Sequence, residues 1–194
     1  MKTRISKAKG FTLIELLVVM TIIAILAGAI FAAAGYAVQR ARTVQAQNIA
    51  VGLVQGVNNF QREYSRWPVQ APGRYGTATG GSEVTFSEEL MTNLLGLEGS
   101  SRNTRRINFI DNMPPASGTP PAGGLDFNTR EVMDPWTNPY WVILADPDTG
   151  LLENPEGGDP LRIRVAAFSP GADRTATGVN PSGVDATRDN VRTW

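Results

Sequence analysis

The sequence predicts an α+β fold: one long N-terminal helix packed on a small antiparallel β-sheet. Three features predict it. Residues 11–38 form an apolar run interrupted by a single charge. From Ile49 onward, apolar residues recur at steps of three and four, the mark of one helical stripe. The C-terminal third sets β-branched and aromatic runs between Pro, Gly and Asp clusters, the chemistry of short strands and tight turns.

The segments follow in order. Residues 1–10 carry Lys2, Arg4, Lys7 and Lys9 and no acid, which makes a basic leader. Residues 11–38 hold only Glu15 as a charged side chain. As a helix this stretch spans roughly 40 Å, enough for the ~30 Å hydrocarbon core of a bilayer. Cations on its N-terminal side predict a cytoplasmic N-terminus. An ordinary secretory signal has a shorter apolar region, and a plain anchor leaves the acid unexplained. A carboxylate at membrane depth costs on the order of 3 kcal/mol, so Glu15 reads as functional unless it snorkels to the interface.

Residues 39–67 continue the helix as an amphipathic segment. Ile49, Leu53, Val57, Phe60, Tyr64 and Trp67 form its stripe, with Arg40, Arg42, Gln45, Gln47 and Arg62 as polar positions. Pro68 marks its stop, so the helix runs from about 12 to 66. The alternative is two helices hinged near Gly35. The globular part, residues 68–194, opens with a Gly/Thr/Ser/Ala-rich loop at 69–85. Ser87 is placed to cap a short helix, Glu88 to Leu95, with Gly96 at its end. Arg102, Arg105 and Arg106 fall in a polar loop, either solvated or a patch for a partner. Ile107–Ile110 reads as a short strand or turn, and residues 113–124 as an exposed Pro/Gly loop. Tyr140–Ala145 reads as a strand, ended by the turn sequence at Asp146–Gly150. Leu151 and Leu152 extend a second strand. Leu161–Phe168 alternates and so reads as a half-buried strand.

Composition narrows function. The chain has 194 residues, no cysteine and no histidine. That removes disulfides, thiolate chemistry and the usual general base together. All the lysines lie in the leader; residues 11–194 hold fourteen arginines against eighteen acids. No basic stripe is left to hold phosphates, so nucleic acid is not expected as a partner.

The string KGFTLIELLVV, residues 9–19, resembles the prepilin cleavage and methylation motif of type IV pilins and type II secretion pseudopilins. The resemblance covers about residues 5–38 and implies a pilin-like fold. It implies that a prepilin peptidase cuts between Gly10 and Phe11, that Phe11 is then N-methylated, and that Glu15 is the assembly acid. The sequence departs from that family in having Ala32 where a proline is common. Two further strings narrow the resemblance. DPWTNPY at residues 134–140 is similar to a signature of the type II secretion major pseudopilin, with Thr137 in place of a glycine. Phe168–Asp173 and the ending at Trp194 are similar to that family's closing loop and terminal tryptophan. The closing loop of that family commonly binds calcium, which implies Asp173 and Asp189 as ligands, with Asp185 as a further one. Asp134 itself reads as a turn former.

The expectation is a non-enzymatic pseudopilus subunit that supports protein secretion. It would sit single-pass in the bacterial inner membrane with its C-terminal domain in the periplasm. Its expected partners are itself and other pilin-like subunits, the prepilin peptidase, an inner-membrane assembly platform with its ATPase, and membrane lipid. The alternatives are a type IV pilus subunit, a membrane-anchored periplasmic binding module and a membrane-anchored hydrolase with carboxylates as its only catalytic groups.

Overall fold

A computed structural model describes residues 11–70, 73–75, 88–146, 148–152, 154, 159–174 and 190–194. The chain divides into two units, Met1–Ala41 and Arg42–Trp194. Helix α1, Leu13–Tyr64, contributes residues to both.

In the first unit α1 is apolar and uncovered. An 18-residue window has mean hydropathy 2.8, and none of it is buried within the chain. Leu13, Ile14, Leu17, Ile25 and Phe31 all stand exposed. An apolar surface of this size is stable only against lipid or other apolar helices.

The second unit is built on the stripe that the periodicity predicts. Ile49, Leu53, Val57 and Phe60 are buried, and Tyr64 and Trp67 pack partly buried beside them. Gly56 lets a loop approach the helix: a Cβ there would fall 2.4 Å from Ile110 Cγ2. The helix ends where Ser65 turns left-handed at φ 53°. Its N–H donates to the Gln61 carbonyl at 2.8 Å, closing the last turn before Pro68.

Strands β1 (Gly73–Tyr75), β4 (Trp141–Leu144), β5 (Val165–Ser169) and β6 (Val191–Arg192) form one antiparallel sheet in the order β1-β4-β5-β6. Strands β2 (Gly124–Asp126) and β3 (Glu131–Met133) form a separate hairpin. Helix α2, Glu88–Leu95, occupies the predicted span and buries Leu90 and Leu94. Its expected cap, Ser87, lies outside the described residues. The α+β arrangement of a long helix and small antiparallel sheets is as expected.

Side-chain alternation divides the large sheet. Val142, Leu144, Val165 and Ala167 join the core with the helix stripe, while Ile143, Ala145 and Ala166 join a second cluster with Leu152. Leu161, Ile163 and Trp194 pack partly buried on that second cluster, and Trp194 stacks on Phe168. Both faces are therefore covered, which corrects one expectation. The segment 161–168 is not a half-buried strand: β5 starts at Val165 and is buried throughout.

Other expectations are corrected by the same physics of tertiary pairing. The loop expected over 69–85 contains β1, whose Gly73 pairs with Leu144 across from it; the central strand supplies hydrogen bonds that local propensity does not foretell. Residues 113–124 are not simply an exposed loop. Met113 is buried, and the Leu125 N–H donates to the Pro114 carbonyl at 2.8 Å. A Cβ on Gly124 would fall 2.1 Å from that same oxygen, so only glycine fits. Ile107–Ile110 is irregular and docks through Phe109 N–H on the Leu94 carbonyl at 2.8 Å. Leu152 forms an isolated bridge to Leu161 in place of the expected strand.

Candidate functional site: the helix tip and its acid

The N-terminal site is local in sequence. Thr12 precedes the helix, and its backbone N–H and its hydroxyl each donate to Glu15 Oε2 at 2.8 Å. In return the Glu15 N–H donates to Thr12 Oγ1 at 3.3 Å. This is a reciprocal capping box, in which two otherwise unsatisfied donors at the helix start find acceptors. The Thr-x-x-Glu spacing is a capping signature in its own right, and reading Glu15 as an assembly acid alone misses it. Both bonds fall on one carboxylate oxygen, so Oε1 keeps capacity for another donor. Phe11, one residue before the cap, is 77% exposed. Gly10, the expected residue before the cut, lies outside the described residues.

The DPWTNPY segment forms a second, structural site. Asp134 is fully buried. Its Oδ1 accepts the N–H groups of Trp136 and Asn138, each at 2.8 Å. Its Oδ2 accepts Asn138 Nδ2 at 3.0 Å and the Ser169 hydroxyl. Asn138 Nδ2 also donates to the Gly171 carbonyl at 2.6 Å. The Asp134 carboxylate thus joins the turn before β4 to the end of β5, and Asn138 carries the link on to the start of the closing loop. Asp134 is a turn former, as expected, and it reaches further than a turn. Thr137, at the top of this turn, adopts φ 71°, a conformation that a β-branched residue rarely takes.

The three arginines after α2 are paired. Arg102 meets Glu89 at 3.7 Å, Arg106 meets Glu98 at 3.4 Å, and Arg105 is hydrogen-bonded to Glu63. Beneath them Asn103 is buried, donating to the Asn93 and Ile107 carbonyls at 2.7 and 2.6 Å. It accepts the Tyr64 hydroxyl at 2.8 Å, so this loop is fastened to the end of α1.

Asp173 lies partly buried in the turn after Pro170. Asp185 and Asp189 lie outside the described residues, so the expected calcium ligands are not seen together. Among the described residues no group of three or more His, Cys, Asp or Glu side chains could hold a metal ion.

Comparison with known proteins bears on the helix tip. The chain matches no curated protein and no solved structure. Residues 5–31 match the prokaryotic N-terminal methylation motif. That match covers residues 5–10 of the leader, Phe11, the capping box and most of the apolar run, and through it the chain is similar to the prepilin substrates of type IV pilin-like systems.

Proposed function

We propose that this chain is a structural subunit of a type II secretion pseudopilus, processed by the prepilin peptidase and polymerised through its N-terminal helix. The observation that carries the reading is the methylation-motif match over residues 5–31, on a helix with an 18-residue apolar window that no described residue covers. The type IV pilin-like character rests on that match. The narrower assignment to secretion rests on the DPWTNPY segment and the closing sequence.

The chemistry of assembly follows from the helix tip. A cut after Gly10 would remove the basic leader and leave a cationic amine on Phe11. In a staggered stack of subunits, that amine can meet Glu15 of a neighbour, on the carboxylate oxygen that Thr12 leaves uncommitted. In apolar surroundings an unpaired charge is strongly penalised, so the pair selects the axial offset at which both charges are matched. The work of such a subunit is mechanical, with ATP hydrolysis belonging to the assembly platform. The expected place is the inner membrane, with residues 68–194 in the periplasm.

Mass spectrometry of the protein from native membranes tests this directly. The expected N-terminus is a methylated Phe11. An intact Met1, or a start beyond residue 30, would overturn the reading.

A further inference from the structure

Three arginines converge where α1 ends, around a concavity of about 390 Å³ lined by Arg66, Trp67, Arg102, Arg164, Gln61 and Asp146 among others. A relay of contacts holds the cations there. Arg164 lies over the Trp67 ring, 5.6 Å from its centroid. Arg102 Nη1 donates to the Trp67 carbonyl at 3.2 Å. Arg66 Nη2 donates to the Arg102 carbonyl at 2.9 Å. Bonds to carbonyls and an aromatic face position a guanidinium without cancelling its charge.

The charge is partly compensated. Arg102 has Glu89 at 3.7 Å, while Arg66 and Arg164 have no acid partner among the described residues. Asp146 also lines the site, and its Oδ1 is engaged by the Asp148 and Thr149 N–H groups. With Glu89, Asp146 and the partial negative charge of about half a unit at the helix C-terminus set against three guanidiniums, the excess among the described residues is small, and Arg66 and Arg164 are the cations without an acid partner there. Nearby arginines behave differently, since Arg105, Arg106 and Arg130 each meet a glutamate. Among the described residues, two guanidiniums without an acid partner therefore stand together on a chain whose residues 11–194 carry more acids than bases.

We propose that this hollow binds carboxylate side chains from an acidic, extended segment of a partner protein. Planar guanidinium forks match carboxylates bidentately, and Trp67 supplies an apolar wall for the side-chain stem. The volume suits one or two side chains rather than a folded surface. The site does not depend on filament assembly: it lies at the C-terminal end of α1, whereas Glu15 is in the first turn.

The test uses the full chain in detergent micelles at about 50 mM salt, with a blocked tetraglutamate peptide followed by titration calorimetry. Saturable one-to-one binding is expected, absent with tetraglutamine and weakened at least tenfold in the double variant Arg66→Gln/Arg164→Gln. Arg130→Gln, which removes a surface charge elsewhere, should bind as the parent does. Melting midpoints of the variants establish that each is folded. Lack of saturable binding, or equal affinity in the double variant, would overturn the proposal. Displacement of the peptide by inorganic phosphate at equal concentration would also overturn it, by assigning the hollow to small free anions.

Discussion

The hydroxyl of Tyr140 donates to the backbone carbonyl of Ala46 across 2.7 Å, although ninety-four residues separate them. The bond ties the residue just before β4 to the buried stripe of α1. Tyr140 is 5% exposed. Burial first, and the charge of Asp134 second, push its phenol well above the usual tyrosine range.

Removing that hydroxyl leaves the ring's packing intact and the bond unmade. Tyr140→Phe should destabilise the second unit by about 1 kcal/mol, read from denaturant midpoints. The pH dependence has a definite sign. A phenol whose folded pKa lies above its unfolded value near 10 favours the folded state while protonated, so the stability it contributes is complete below about pH 10 and falls as pH rises further. The parent should therefore lose stability in alkali more steeply than Tyr140→Phe.

Glu15→Ala should insert in the membrane as well as the parent, because it removes a charge from an apolar helix. Assembly into filaments should fail. Thr12→Val removes the hydroxyl of the cap and keeps the acid, so helix formation at the tip should weaken by about 1 kcal/mol while some assembly persists. Electron microscopy of sheared fractions, beside membrane-extraction assays, separates the two steps.

Asp134→Asn exchanges acceptor lone pairs for donors in a pocket where Asn138 and Ser169 already donate. A cost of about 2–3 kcal/mol is expected, seen as a lower midpoint of thermal unfolding. Ser169→Ala removes one donor only and should cost less.

Thr137 holds a left-handed backbone at φ 71°. Its hydroxyl oxygen accepts a bond from Arg174 at 3.2 Å on the surface, which carries little energy there. Thr137→Gly should relieve the strain and raise stability by up to about 1 kcal/mol, the gain being reduced by glycine's greater unfolded-state freedom. Calorimetric melting of the two proteins decides it.

We propose calcium as a ligand of Asp173, Asp189 and Asp185. The melting temperature of the full chain should then rise with millimolar calcium, and Asp173→Asn should abolish the rise. Equal melting in calcium and in chelator would count against the site.

Much of this protein is written locally. Glu15 within an apolar run, the stripe from Ile49 to Trp67, helix α2 and strand β4 rest on patterns spanning a few turns or a few residues. Short-range periodicity and capping chemistry are enough to define them. The cleavage motif is likewise a contiguous string, which is why the helix tip is legible from the amino-acid order alone. The residues of the cap, Thr12 and Glu15, stand in the same string. That both Thr12 donors meet a single oxygen of Glu15, leaving the other uncommitted, is a matter of geometry.

Long-range pairing decided the rest. Gly73–Tyr75 has no strong strand signal and becomes a strand because β4 offers it an edge. Gly124 is required because a carbonyl of Pro114 stands where a Cβ would fall, and β5 loses its exposed face because Leu152, Leu161 and Trp194 cover it. Asp134 reads as a turn residue; its bond to Ser169 and the link through Asn138 to Gly171 depend on chain segments more than thirty residues away. By itself the sequence determined the helices, the processing motif and the lone acid, because each depends on near neighbours. The sheet order, the buried carboxylate hub and the convergence of Arg66, Arg102 and Arg164 were decided only by the tertiary structure, because they depend on which distant backbone groups find partners when the core closes.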